Sequence, residues 1–315
     1  MKAKVVFADT THPVLPQLLT EQGFECVHFY ESDTNKLKLL LKDAFGLIIR
    51  SRFPIDEALL EIAPQLKFIG RVGAGMENID IAAAQARQIK LFNAPEGNRD
   101  AVAEHSLGML LALNNRLLIV DAEVRNGIWK REENRGVEIH GKTIGIIGFG
   151  NMGEAFSKRL QGFGAKIMAY DKYKFGFGND FVEEVSMDQL FEQADIVSLH
   201  IPQTVETKGL VRMEWLSRFK KPIVLINTSR GKIVKSSDLL DAISNGLVSG
   251  ACLDVLEYES SSFEKLFAGD MPETFRQLIN CKKVILSPHI AGWTLESNIK
   301  LATVLAEKIG ANFKQ

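Results

Sequence analysis

Cysteine is scarce. Cys26, Cys252 and Cys281 are the only three in 315 residues, they stand far apart, and none belongs to a CxxC pair. Such a pattern argues against both a disulfide framework and a zinc site, so no metal is expected and a reducing, cytoplasmic setting fits. Excess charge is missing as well: 38 Lys and Arg against 39 Asp and Glu leave a net charge of -1, and no long run of one sign occurs. That balance removes any general attraction to nucleic acid or to an anionic membrane, and an anionic ligand has to be held locally. A long uninterrupted apolar run is also absent. The most apolar region, 101–120, contains Glu104, His105, Asn114, Asn115 and Arg116 and is not a membrane span. The first ten residues, "MKAKVVFADT", lack the apolar core and small-residue cleavage site of a signal peptide. Low-complexity segments and short repeats are absent too.

What is present is a soluble globular composition, 46% apolar and 24% charged, at a length that favours two domains. In the first hundred residues short apolar runs recur: "KVVFAD", "FECVHF", "GLIIRS", "LKFIGR" and "IKLFNA". Between most of them lie helix-compatible segments such as "HPVLPQLLTEQG" and "IDEALLEIAPQ". This alternation predicts a parallel sheet covered by helices on both faces. From residue 142 the alternation restarts with "KTIGIIG", "KIMAYD", "DIVSLHI", "PIVLINTS", "GACLDV" and "KVILSPHI". Six strands with intervening helices suit a doubly wound dinucleotide-binding sheet. The expected fold class is therefore α/β with two doubly wound parallel-sheet domains. Between the two series runs "NRDAVAEHSLGMLLALNNRLLIVDAEVRNGIW", predicted helical with Asp100 as N-cap. Its 101–120 portion is apolar nearly all round, which predicts burial against a second subunit and hence a homodimer, with an internal hinge helix as the alternative.

"HGKTIGIIGFGNMG" places Gly148, Gly150 and Gly153 after an apolar strand and before a helix-compatible segment. The first glycine permits a tight turn, the second lets backbone approach a pyrophosphate, and the third lets helix and strand pack closely. About 20 residues on, "KIMAYD" ends in Asp171, a carboxylate suited to accepting hydrogen bonds from ribose hydroxyls and to repelling a 2'-phosphate. NAD rather than NADP is the expected cofactor, although Lys172 and Lys174 stand close by. Asn151 and Met152 in the same loop, and Thr228 in "INTSRG", are further candidate cofactor contacts.

Three more candidates follow strands: Arg230 in "INTSRGKIV", Glu259 in "CLDVLEYES" and His289 in "LSPHIAGWT". In an open α/β sheet such positions gather at the ligand crevice. An arginine fork pairs with a carboxylate and its neighbouring carbonyl oxygen. A histidine passes protons near neutral pH, and a carboxylate beside it fixes the tautomer and favours the imidazolium. Each alone has a bland reading, as a surface ion pair, an exposed acid or a loop cap. Their joint occurrence with a nucleotide fingerprint points to handling of a 2-oxo acid.

In order and content these motifs, with "IIRSR", "RVGAGMENIDI", "GNRDAVAEH" and "LHIPQT", resemble the D-isomer-specific 2-hydroxyacid dehydrogenases, and among them the D-3-phosphoglycerate dehydrogenases. The resemblance covers nearly the whole chain. It implies a Rossmann NAD-binding domain (99–289) inserted into a discontinuous flavodoxin-like substrate domain (1–98 and 290–315). It also implies roles: Arg230 binds substrate, His289 gives and takes the proton, and Glu259 pairs with it, whereas Glu257 sits two residues too early. Asp254 matches a residue beside the nicotinamide, and His200 and Pro202 lie along the cofactor. Gly73, Ala74 and Gly75 belong to a loop whose amides receive the substrate carboxylate. Arg50, Ser51 and Arg52 end a strand, with the two arginines on one face, where they would meet the phosphate of 3-phosphoglycerate. Domain closure would bring the parts together.

Two departures bear on the pocket: Ser260 stands where proline is usual, and Trp293 where a small residue is usual. The chain stops soon after its last helix, so no appended regulatory domain and no feedback inhibition by serine are expected. Hydroxypyruvate, glyoxylate or a bulkier D-2-hydroxy acid remains an alternative substrate. An NAD(H)-sensing corepressor-like binding protein is the alternative of another class.

Overall fold

The computed structural model describes residues 2–31, 33–259 and 270–313; Ser260 lies outside the described residues. The described chain divides into two compact units, one of 2–99 and 293–313, the other of 100–259 and 270–292. The expected edges fall one and three residues from these.

The first unit holds β1 (Lys4–Phe7), β2 (Glu25–His28), β3 (Gly46–Ile49), β4 (Phe68–Arg71) and β5 (Lys90–Asn93) in one parallel sheet of order β2-β1-β3-β4-β5. That is the flavodoxin-like order. All four residues of β3 are buried, as a strand covered on both faces requires. One face is closed by the helix Leu295–Asn312, whose entry is fixed by a reciprocal capping box between Thr294 and Ser297. Leu301, Ala302, Leu305, Ala306 and Ile309 of this helix share a core with Val5, Phe7 and Phe68. Truncating Leu305 to alanine there would cost about 2–5 kcal/mol. A Cβ on Gly97 would lie 2.5 Å from the Leu301 backbone nitrogen, so glycine lets the helix containing it cross close by, and Lys308 pairs with Glu96 at 2.8 Å.

The second unit contains β6 (Thr143–Ile147), β7 (Lys166–Tyr170), β8 (Glu183–Glu184), β9 (Ile196–Leu199), β10 (Ile223–Asn227), β11 (Val248–Leu253) and β12 (Val284–Leu286). They form one parallel sheet of order β12-β11-β10-β9-β6-β7-β8. Order reverses at β6, where the next strand lies on one side and β9 on the other. This is the Rossmann arrangement, with its switch point beside the glycine-rich turn.

The long central helix differs from expectation. It starts at Pro95, a favoured first-turn residue, so Asp100 is interior and pairs with Arg159 at 3.0 Å instead of capping. At Arg116 the backbone turns left-handed (φ 54°), and a second helix, Leu117–Arg125, follows. Ala103, Met109 and Leu110 are buried in their own unit with Ile144, Ile146 and Phe156. The apolar side chains of 101–113 are thus buried or half-buried within their own unit. The exposed ones are Leu117 and Leu118, at the end of the 101–120 portion, and beyond it Val124, Ile128, Trp129 and Val137.

Candidate active site

The turn after β6 is shaped by its three glycines. Gly148 has φ 91°, and a Cβ there would sit 2.5 Å from the His200 carbonyl oxygen. On Gly153 it would lie 2.1 Å from the Gly148 carbonyl oxygen. On Gly150, N-cap of the helix Asn151–Arg159, it would meet nothing within 4 Å and would project into open space. No side chain caps that helix, and Asn151 and Met152 open it half-buried. A turn this close, leading into an uncapped helix start with room above its middle glycine, fits a dinucleotide pyrophosphate.

Asp171 follows β7, next to the turn. Its Oδ2 accepts from the Phe149 N–H (2.7 Å) and its Oδ1 from those of Tyr173 and Lys174 (2.9 and 3.0 Å). The neighbouring lysines are occupied elsewhere: Lys172 pairs with Glu206, and Lys174 Nζ donates to the Phe149 carbonyl at 3.2 Å. Past β9, His200 Nε2 lies 2.9 Å from Ser198 Oγ, and burial pulls its imidazole down to about 4. Pro202 is exposed, and its carbonyl accepts from Thr207. Thr228, past β10, is buried with its hydroxyl 3.0 Å from Ser106 Oγ.

Beyond β10, β11 and β12 lie the three candidates for chemistry. His289 Nδ1 and Glu259 Oε2 are 2.7 Å apart, with 24% and 13% of their side chains exposed. The other oxygen of Glu259 accepts from the Leu256 N–H, so this carboxylate is anchored at both ends. Glu257 is directed elsewhere, onto the N–H of Ser236. Arg230 is half-buried and donates to the Ser229 carbonyl at 2.7 Å. Gly231 lets its loop reach the others, since a Cβ there would lie 1.9 Å from the Leu256 carbonyl oxygen.

His289 has φ 56°, a left-handed conformation that costs a non-glycine residue on the order of 1–3 kcal/mol. Asp254, 1% exposed, holds it there. The Asp254 carbonyl accepts from His289 N at 2.7 Å. Its carboxylate accepts from Ile290 N (2.9 Å), Ala291 N (2.8 Å) and Ser287 Oγ (2.6 Å). Ser287 also meets His105 Nε2 at 2.9 Å, and His105 stands 3.5 Å from Asp254. Asp254, expected beside the nicotinamide, has its carboxylate turned into the loop. Ser287, His105 and Gly231 were missed by reasoning on single residues, although each lies inside a quoted motif: "SPH", "AEH" and "SRG".

In the first unit, Gly73 is buried at φ 151°, and its carbonyl accepts from Ala94 N, while that of Ala74 accepts from Asn93 Nδ2 at 2.5 Å. Gly75 follows, half-buried. β3 ends at Ile49, so the strand alternation on which a common face of the two arginines was expected does not extend to Arg50, Ser51 and Arg52. Arg50 lies over the Trp293 ring, 4.3 Å from its centroid. Arg52 donates to the carbonyls of Tyr30 and Glu31 and lies over Phe53.

Residues 107–291 match the family described as D-isomer specific 2-hydroxyacid dehydrogenase, NAD binding domain. The chain belongs to this family. A D-3-phosphoglycerate dehydrogenase of Mycobacterium tuberculosis is 36% identical over 284 residues, 88% of this chain and 51% of that protein. The hydroxypyruvate reductase of Thermotoga maritima is 32% identical over 277 residues, 88% of this chain and 87% of that protein. Among solved structures, the D-lactate dehydrogenase of Aquifex aeolicus, complexed with NAD and lactic acid, has a TM-score of 0.82 at 27% identity, covering 98% of this chain and 95% of that one. The chain spans about half the length of the phosphoglycerate dehydrogenase relatives it matches. In this dehydrogenase family the cofactor is NAD, and the turn of Gly148, Gly150 and Gly153 with Asp171 is suited to hold it.

Proposed function

We propose that this protein is an NAD-dependent dehydrogenase that interconverts a D-2-hydroxy acid and its 2-oxo acid, with D-3-phosphoglycerate and 3-phosphohydroxypyruvate as the pair. The observation that carries the reading is the His289–Glu259 contact of 2.7 Å, held in a strained loop of an NAD-binding unit that also presents Arg230. When bound, the cofactor gives or takes the hydride at the 2-carbon. Arg230 orients the acid by pairing its planar fork with the carboxylate and the 2-oxygen. In reduction, protonated His289 gives its Nε2 proton to that oxygen, and Glu259 on Nδ1 stabilises the charged ring. In oxidation, neutral His289 with its proton on Nδ1 takes the hydroxyl proton at Nε2. Asp254 acts through the loop, keeping His289 at its left-handed angle. The loop of Gly73, Ala74 and Gly75 supplies backbone donors for an anionic substrate.

For the far end of the substrate we assign Arg50 to the phosphate, with Ser51 beside it. Arg52 braces the loop, because its guanidinium is engaged by the carbonyls of Tyr30 and Glu31. The reading places the protein in serine biosynthesis, in the cytoplasm. Among the described residues no helix is long and apolar enough to cross a membrane. A homodimer is part of the same reading, with Leu117, Leu118, Val124, Ile128, Trp129 and Val137 as the surface it would cover.

A hydroxypyruvate reductase is the second reading, favoured by the Thermotoga relative, which the chain matches over 87% of its length. NADH oxidation measured with 3-phosphohydroxypyruvate, hydroxypyruvate, glyoxylate and bulkier 2-oxo acids decides between them. A clear kcat/KM advantage for the phosphorylated acid supports the first reading, and equal use supports the second. No turnover of any 2-oxo acid would favour a nucleotide-sensing binding protein.

A further inference from the structure

We infer that Trp293 determines specificity by holding Arg50 as a preformed receptor for a second anionic group on the substrate. The inference rests on the assignment of Arg50 to the phosphate. Both residues belong to the first unit, although Trp293 comes from the start of its C-terminal segment. The guanidinium carbon lies 4.3 Å from the ring centroid, and Trp293 is 64% exposed, so the indole is not there to fill a core. A guanidinium laid on an aromatic face has that face occupied while its N–H donors lie in the plane of the fork, at its edges. This geometry suits bidentate pairing with a phosphate or carboxylate.

The main chain at Arg50 is fixed from two sides. Its N–H donates to Asp9 Oδ2 at 2.6 Å, and its carbonyl accepts from Asn78 Nδ2 at 3.1 Å, an amide that also reaches the Phe53 carbonyl at 3.0 Å. Asp9 is buried two residues past β1, the strand next to β3 in the sheet. With backbone and side chain both held, Arg50 has little rotamer freedom left to lose when an anion arrives, and binding is strengthened accordingly. Arg50 follows β3, whose Ile49 is paired with Arg71 at the end of β4, so it shares a sheet edge with the Gly73 loop. Three residues lie between His289 and Trp293, so the Cα atoms of the two are within about 14 Å of each other however the chain runs between them.

The class of substrate selected is a 2-oxo acid bearing a second anionic group at its far end. The test compares kcat/KM for 3-phosphohydroxypyruvate and hydroxypyruvate in the unmodified protein and in Arg50→Ala, Trp293→Leu, Trp293→Gln and Trp293→Phe. Arg50→Ala should lower the ratio of the two by about 10- to 100-fold. Loss of the aromatic face in Trp293→Leu or Trp293→Gln should lower it by about three- to tenfold, mainly through a higher KM for the phosphorylated acid, and Trp293→Phe should keep most of it. An Arg50→Ala ratio equal to that of the unmodified protein overturns the phosphate assignment itself. A normal ratio in a folded Trp293→Leu or Trp293→Gln protein, with the ratio lost in Arg50→Ala, overturns this inference and leaves the assignment standing.

Discussion

Replacing Glu259 by glutamine removes one charge at nearly constant shape, and the structure says what must follow. Both carboxylate oxygens accept: one from the fixed Leu256 N–H, the other from His289 Nδ1 at 2.7 Å. Glutamine has a single oxygen. If the Leu256 N–H keeps it, the amide NH2 faces Nδ1, which can then only be a bare acceptor. A protonated ring would set two donors against each other, and the neutral ring would carry its hydrogen on Nε2. The protonated form loses a charge-assisted hydrogen bond, about 1.5–3 kcal/mol. At about 1.4 kcal/mol per pH unit, the high-pH limb of the reduction profile should move down by about one to two units. Reduction near pH 7.5 should then fall about 10- to 100-fold and recover on acidification. Oxidation should not recover at any pH, because the favoured neutral tautomer has no lone pair on Nε2 to receive a proton. The assay is kcat/KM against pH in both directions, with Glu257→Gln as control, since Glu257 bonds to Ser236 N and not to the histidine. A high-pH limb that stays in place in Glu259→Gln, or moves only in Glu257→Gln, would refute the reasoning.

Cofactor preference should follow Asp171: kcat/KM for NADH should exceed that for NADPH, with Asp171→Ala narrowing the gap, and equal values in the unmodified protein would contradict it. Buried His200, pulled down to about 4 from an ordinary 6.5, makes stability acid-sensitive. Between these values the unfolded chain binds a proton that the folded chain refuses, so stability falls as pH drops from about 6.5 toward 4, by at most about 3 kcal/mol. Urea midpoints should show that limb, and His200→Gln should flatten it; an unaltered limb would show that His200 is not its source. Sedimentation at micromolar concentration should report a dimer that Trp129→Glu weakens, and a monomeric unmodified protein would sink the proposed interface.

The strands were legible because a parallel strand buried on both faces must be a short apolar run. Ten of the eleven such runs contain a whole strand, and "GACLDV" contains the last four residues of β11. β8 was not, since Glu183 and Glu184 carry no apolar signal and owe their pairing to Met168 and Ala169 beside them. The central helix misled for a related reason. Asp100 looks like a cap, but the true start lies at Pro95, and which apolar residues face their own unit depends on a left-handed turn at Arg116 that composition does not announce. Arg50 and Arg52 were read as strand residues, and the strand ends at Ile49, before either of them. Tertiary partners account for these misses, and a sequence alone does not name partners.

Asp254 illustrates the limit best. Its type and position are visible in "CLDV", yet its role depends on donors some 33 to 37 residues away, Ser287, Ile290 and Ala291, that converge on one buried carboxylate. A carboxylate this enclosed is stable only with its lone pairs occupied, and donors supplied by one short loop make the loop's conformation a condition of burying the charge. The left-handed turn at His289 is then maintained by the cost of leaving Asp254 unsatisfied, which exceeds the cost of the strained angle. Glu259 sets the ring from the other side through Nδ1. Backbone and ring are thus fixed by two different acids, and with Nδ1 engaged by Glu259 the proposed proton transfer is assigned to Nε2.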